Sequence, residues 1–253
     1  MLEAPAKGGL CMNERNYKGI VSVRKIFDDG RTMIVPCTFT VLSHEDIGEI
    51  VRLQHEVASG LSPEIFVRTE ESEISKFLGD EGITIGVAYE GRLICARTVK
   101  TAKQWVDKSI SELGYFPTND KKMAITDFCI VDPEFRGNNM QFLTQYYAEC
   151  ILTQTHDTIV TTVSPKNSWS LTNVLACGYC IVGIKDAYGG YLRYVLEKEF
   201  HPDYCIKANE HVSIRYKDMK KQKEAIDEGM IGYKIVQHPR GREVLFAFTE
   251  ETE

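Results

Sequence analysis

The sequence reads as an α/β (α+β) chain. Amphipathic helical stripes alternate with short β-branched runs through residues 43–200, a pattern of mixed-sheet domains. "TIVTTV", Thr158–Val163, has no polar alternation, as expected of a strand covered on both faces. In "VDPEFRGNNMQFLTQYY", Val131–Tyr147, a β-rich run passes through Arg-Gly-Asn-Asn into a helical stripe. Such a junction presents the free N–H groups of a helix start.

The elements follow in chain order. Residues 1–16 carry no apolar run and read as a flexible leader without a secretory signal. "GIVSVRKIF" and "TMIVPCTFTVL" flank Asp28-Asp29-Gly30, a hairpin signal. Ser43 is placed to cap a helix, with Glu45 and Asp46 in its first turn and Ile47, Ile50, Val51 and Val57 as its stripe. A short helix follows, with Ile74, Phe77 and Leu78 on one face. "ITIGVAYEGRLICARTV" is two strands around Glu90-Gly91, and residues 100–121 are an insertion of helix and loop broken by Pro117, Thr118 and Asn119. "MAITDFCIV" is the next strand. The helix after it repeats Met140, Leu143, Tyr147 and Ile151 at helical spacing. After Thr158–Val163 a helix with Leu171, Val174 and Leu175 runs to Gly178, whose residue type suits a left-handed helix end. "CIVGI" and "YLRYVLEKEF" form a last hairpin around "KDAYGG". Residues 201–253 read as a C-terminal extension packed on the core, with strands at "VSIRY" and "EVLFAF" and a charged, solvated helix between them.

Bulk composition narrows the class. With 253 residues, 43% hydrophobic and 26% charged, the chain has the make-up of a soluble globular protein. Its 36 acids against 30 bases give a net charge of −6, which argues against a nucleic-acid partner. No apolar run reaches membrane-spanning length, and the expected location is the cytoplasm. The eight cysteines are scattered. The Cys177–Cys180 pair has redox spacing but lies where a helix ends, opposite to the helix start that activates such pairs. No second CxxC completes a metal site, and none is expected.

Two motifs carry a resemblance. "VDPEFRGNNMQFL" resembles motif A of the GCN5-related N-acetyltransferases (GNAT), usually written Gln/Arg-x-x-Gly-x-Gly/Ala after Val-x-Pro-x-Tyr. "VSPKNSWSLTNVLACGY" resembles their motif B, in which an Asn precedes Gly and an aromatic by eleven residues; here these are Asn167, Gly178 and Tyr179. The two lie about thirty residues apart and in the family's order. The resemblance covers roughly residues 40–200, within a domain drawn at 17–200.

That resemblance implies the acyltransferase fold of the family, a mixed central sheet with helices on both faces, and acetyl-CoA as cosubstrate. Anions settle at helix starts, and the family's loop amides hold the pyrophosphate. The carry-over assigns Arg136, Gly137, Asn138, Asn139 and Gln141. Asn139 and Gln141 stand where many members have glycine or a small residue, but the contact needs only backbone. The preceding strand splays from its neighbour in this family, and the backbone of Cys129, Ile130 and Val131 is assigned to polarise the thioester carbonyl. Asp127 matches the place of a base proposed for polyamine acetyltransferases; its rival reading is a carboxylate bonded to a nearby loop. Asn167 is assigned beside the cofactor as a binding and catalytic side chain, with helix capping as its rival. The family's common tyrosine acid falls at Val174, so the acid is unassigned. Tyr188, Gly189, Gly190 and Arg193 are placed at the border of the acceptor site or read as a tight turn and a surface arginine.

The implied reaction is acetyl transfer to a primary amine, carried by a small molecule or peptide, through direct attack in a ternary complex. The rival is a non-catalytic module of the same fold that binds acyl-CoA or a protein. A homodimer is left open.

Overall fold

A computed structural model describes residues 18–27, 29–115 and 121–252. The leader at 1–16, Asp28 of the first turn and the breakers Pro117, Thr118 and Asn119 lie outside the described residues.

The N-terminal hairpin pairs β1 (Lys18–Ile26) with β2 (Thr32–Val41). Ser43 forms a capping box with Asp46 ahead of α1 (Ile47–Ser59), which satisfies helix-start donors. Then come α2 (Glu71–Lys76), β3 (Gly82–Tyr89), β4 (Arg92–Lys100) and α3 (Lys103–Leu113). The segment β5 (Met123–Val131), α4 (Met140–Leu152), β6 (Thr158–Val163) and α5 (Ser168–Ala176) holds both motifs. The hairpin of β7 (Cys180–Ala187) and β8 (Tyr191–Glu199) closes the central part.

Beyond it the chain forms β9 (Tyr204–Ile206), β10 (Val212–Arg215), α6 (Met219–Asp227), β11 (Ile231–His238), β12 (Gly241–Ala247) and β13 (Thr249–Glu251). The strands β9, β11 and β13 are absent from the sequence reading. "IGYKIVQH" alternates weakly, because β11 buries little more than Gly232.

Eleven strands make one sheet in the order β1-β2-β3-β4-β5-β6-β8-β7-β11-β12-β10. Among the described strands only β5 and β6 run parallel. Both faces are covered, as the family resemblance implies. On one face α1 and α2 pack Ile50, Leu53 and Ile74 against Leu93, Phe128 and Ile130, and α3 packs Val106 and Ile110 against Ile125, Val160 and Val195. On the other, Met140, Ala148, Leu171, Val174 and Ala225 of α4, α5 and α6 meet Cys95, Ile159, Val163 and Leu196. Each buried Val, Leu, Ile, Phe or Met among these contributes about 1.5–3 kcal/mol. β6 is buried along almost its whole length, which explains its uninterrupted apolar sequence.

Candidate functional site

The site begins where a ladder stops. β5 and β6 pair only at Met123↔Thr158, Ala124↔Ile159 and Ile125↔Val160. Both strands continue, β5 to Val131 on the ladder of β4 and β6 to Val163 on the ladder of β8. From Thr126 onward the facing edges are therefore open to each other. The buried Thr126 Oγ1 at this point has no hydrogen-bond partner among the described residues. Orphaned buried groups are uncommon and call for a reason.

A bulge sits at the same place. Thr98 pairs with Phe128 while Val99 pairs with Thr126, so Asp127 is the extra residue. A bulge re-aims a side chain, and here it puts Asp127 on the α1–α3 face.

At the wide end of the opening lies the loop into α4. Gly137 (φ 77°) and Asn139 (φ 54°) are both left-handed. Asn139 thus adopts the conformation that glycine supplies at this motif position, one that Asn tolerates better than most residues. The N–H groups of Gly137, Asn138, Asn139, Met140, Gln141 and Phe142 find no acceptor among the described residues. Arg136, Gly137 and Asn139 are exposed. Converging N–H groups at the positive end of a helix dipole make an anion cradle. A Cβ on Gly137 would come within 2.9 Å of Arg24 Nη2, so the cradle is bordered by a guanidinium from β1. These residues fit the pyrophosphate of coenzyme A.

The side chains of this loop are occupied with holding it. Asn138 donates from Nδ2 to the carbonyls of Arg24 (2.7 Å) and Phe135 (2.9 Å), and its Oδ1 accepts from Arg24 N–H at 2.9 Å. Gln141 accepts from Asn173 Nδ2 at 3.1 Å, tying α4 to α5. Its carbonyl accepts from buried Arg97 at 2.9 Å. Apart from the local bond to Phe135, the sequence gives no sign of these ties, since each other partner is more than 30 residues away.

Across the opening, on the α1–α3 face, is a cluster of side chains. Asp127 Oδ1 is 2.7 Å from Lys100 Nζ, and Oδ2 accepts from Thr69 Oγ1 at 2.7 Å. Both charged side chains are largely buried. Tyr188 Oη lies 3.1 Å from Thr162 Oγ1 on the freed end of β6. Burial pushes the Tyr188 phenol above its usual range, with Asp127 adding to the rise. The guanidinium of Arg193 is 5.4 Å from the Tyr188 ring centre, and its Nη1 donates to the Glu64 carbonyl at 2.8 Å. Arg193 is buried rather than a surface arginine. Lys100, Thr69 and Thr162 have no sequence signal of their own, because the bulge and three separate elements bring them together.

Cys129 and Val131 are half-buried on the open edge and Ile130 is buried beside them. The Cys95 thiol donates to Cys129, and with Arg97 nearby this pulls the Cys129 thiol down against the effect of burial. Asn167 caps α5: its Oδ1 accepts from Ser170 N–H at 3.1 Å. Val174 is buried in the main core, so no tyrosine hydroxyl could stand there without repacking. Burial raises the thiols of Cys177 and Cys180 to about 11 each, which suits inert core cysteines. Among the described residues no group of His, Cys, Asp and Glu could hold a metal ion, and no helix is long and apolar enough to cross a membrane.

No protein-family model matches the sequence, and no curated protein matches it either. Solved structures do match by shape. An acetyltransferase of the GNAT family from Streptococcus pneumoniae superposes with a TM-score of 0.51 at 14% identity, over 65% of this chain and 99% of that one. The GNAT domain of S. lividans PAT gives 0.48 at 13% identity, over 71% and 97%. The paia N-acetyltransferase of Thermoplasma acidophilum, solved with coenzyme A, gives 0.46 at 12% identity, over 65% and 99%. The parallel pair that parts at Ile125, the α4 loop at its wide end and the match to the pneumococcal enzyme agree: the chain has the fold of the GCN5-related N-acetyltransferases.

Proposed function

We propose that the protein transfers an acetyl group from acetyl-CoA to a primary amine. The observation that carries this reading is the open edge of β5 between the N–H cradle of α4 and the carboxylate of Asp127. A cofactor lying in the opening has its pyrophosphate on the N–H groups of Gly137 to Phe142. Its thioester then lies against the backbone of Cys129 to Val131. An N–H aimed at the thioester oxygen stabilises the tetrahedral intermediate, an effect typically worth about 10²–10³ in rate. The amine approaches from the α1–α3 face, where Asp127 takes its proton, directly or through water. Base catalysis of this kind contributes about 10²–10⁴. A free thiolate leaves with little help, since thiols ionise near pKa 8.5, so the buried Val174 is no obstacle to turnover.

The pairing of Asp127 with Lys100 favours one rival, a non-catalytic acyl-CoA-binding module, because both oxygens of the carboxylate are already held, by Lys100 and by Thr69. A panel of primary amines offered with acetyl-CoA, with release of free thiol followed, separates the two. Thiol release above the no-amine rate supports the transferase. Tight acetyl-CoA binding with no release for any amine overturns it in favour of the module.

A further inference from the structure

The Lys100–Asp127 pair puts a primary amine on the proposed base. Lys100 Nζ is 2.7 Å from Asp127 Oδ1, and the two side chains are only 13% and 14% exposed. Thr69 holds the other carboxylate oxygen at 2.7 Å. The ammonium lies 5.0 Å from the centre of the Phe77 ring, which steadies it as a cation–π partner. Asp127 is two residues before Cys129, roughly 7 Å along the strand. The amine therefore occupies the place that an acceptor must take, within a side chain's swing of the thioester's expected seat. Among the described lysines in ion pairs, Lys100 has the most buried side chain; Lys103 and Lys220 are 85% and 88% exposed.

We propose that Lys100 is an acetylation site of the protein itself, loaded in cis from acetyl-CoA bound in the same chain. This rests on the transferase reading above. The Lys100 ammonium gives one proton to Asp127. The freed nitrogen lone pair attacks the thioester carbonyl carbon, forming the C–N bond. The C–S bond breaks and its electron pair leaves on sulfur. The thiolate takes up the proton held by Asp127, directly or through water, which restores the carboxylate, and the second proton lost by nitrogen goes to solvent. The products are acetyl-lysine, free coenzyme A and one net proton. Acetylation removes the lysine charge, so Asp127 then faces the opening without its ion-pair partner and is free to receive an external ammonium.

The test is a time course of the full chain with acetyl-CoA, read by peptide mass mapping. Non-enzymatic acetylation follows exposure, so Lys103 and Lys220 serve as internal controls. Lys100 should gain an acetyl group at least tenfold faster than either. Its rate per molecule should not change when the protein is diluted tenfold. Gly137→Glu, which spoils the cradle, should slow Lys100 to the control rate, and Lys100→Arg should lose the fast label. Labelling of Lys100 no faster than Lys103 overturns the proposal, and this reading needs no variant to fold. A rate that falls in proportion to dilution overturns transfer in cis. If external amines are acetylated while Lys100 is not, only this proposal fails. If neither is acetylated, the transferase reading fails with it.

Discussion

The two sides of the opening between β5 and β6 are built from different materials. On the α4 side the groups facing the opening without an acceptor are backbone N–H donors, and the side chains of Asn138 and Gln141 hold the loop in shape. On the α1 side the groups are side chains: Asp127, Lys100, Thr69, Thr162 and Tyr188, supplied by separate strands and loops. A backbone site tolerates exchange of residue type as long as the φ angles survive. A side-chain site does not. This is why the α4 loop keeps its geometry with Asn139 and Gln141 at positions where the family often has small residues, while on the α1 side the partners of Asp127, namely Lys100 and Thr69, match no motif.

The largest effect belongs to the side-chain face. Asp127→Asn should lower turnover by about 10²–10⁴ with acetyl-CoA affinity unchanged, as steady-state rates and calorimetry would record. A variant with full activity across pH 6–9 would make Asp127 structural and remove the contrast. Next is Val174→Tyr. The larger ring must enter the packed core beside Leu171, at about 1–3 kcal/mol, and thermal melting should fall by about 2–4 °C per kcal/mol. Single-turnover rates should not rise. A variant that melts like the parent and releases coenzyme A faster would show that the position faces the cofactor.

Asn139→Gly sharpens the comparison from the backbone face. Glycine reaches the left-handed region at no steric cost, so acetyl-CoA affinity should stay within about twofold; Asn139→Val, unable to do so, should weaken it. Equal losses for both would mean that the Asn139 side chain, rather than its backbone, does the binding. The smallest effect concerns His156, beyond the C-terminal end of α4. Burial first, and Lys122 second, lower its pKa from the usual 6.5. The fold thus prefers neutral imidazole: its stabilisation is complete above pH 6.5 and is lost as pH falls towards the lowered value. Denaturant melts at pH 7.5 and 5 should show that loss in the parent and a smaller one in His156→Gln, with acetyl-CoA binding at pH 7.5 the same in both.

The same division governs what the sequence could tell. Local rules were legible: the Ser43 capping box, the left-handed Gly178 after α5 (φ 88°), the uniformly buried β6 and the hairpin around Gly189 all follow from neighbours in the chain. The cradle was legible for the same reason, since loop and helix are contiguous. The α1 side was legible only in Asp127, Tyr188 and Arg193; their neighbours Lys100, Thr69 and Thr162 were not, because Lys100 meets Asp127 only through the extra residue in β5, and a bulge leaves no mark in hydrophobic alternation. Strand β11 escaped because it buries so little of itself. Asn167 shows a third case: of its two readings the structure shows the helix cap, made by its Oδ1, and its role toward a cofactor rests on the proposed function.

The central claim is that the N–H groups from Gly137 to Phe142 hold the phosphates of acetyl-CoA. The most direct measurement is calorimetric titration of acetyl-CoA into the parent and Gly137→Glu chains, with circular dichroism to establish that both are folded. A carboxylate there must crowd Arg24 and repel the pyrophosphate. The account predicts saturable binding by the parent and at least tenfold weaker binding by the variant, about 1.4 kcal/mol. Equal affinity in a folded variant, or no binding by the parent, would contradict it.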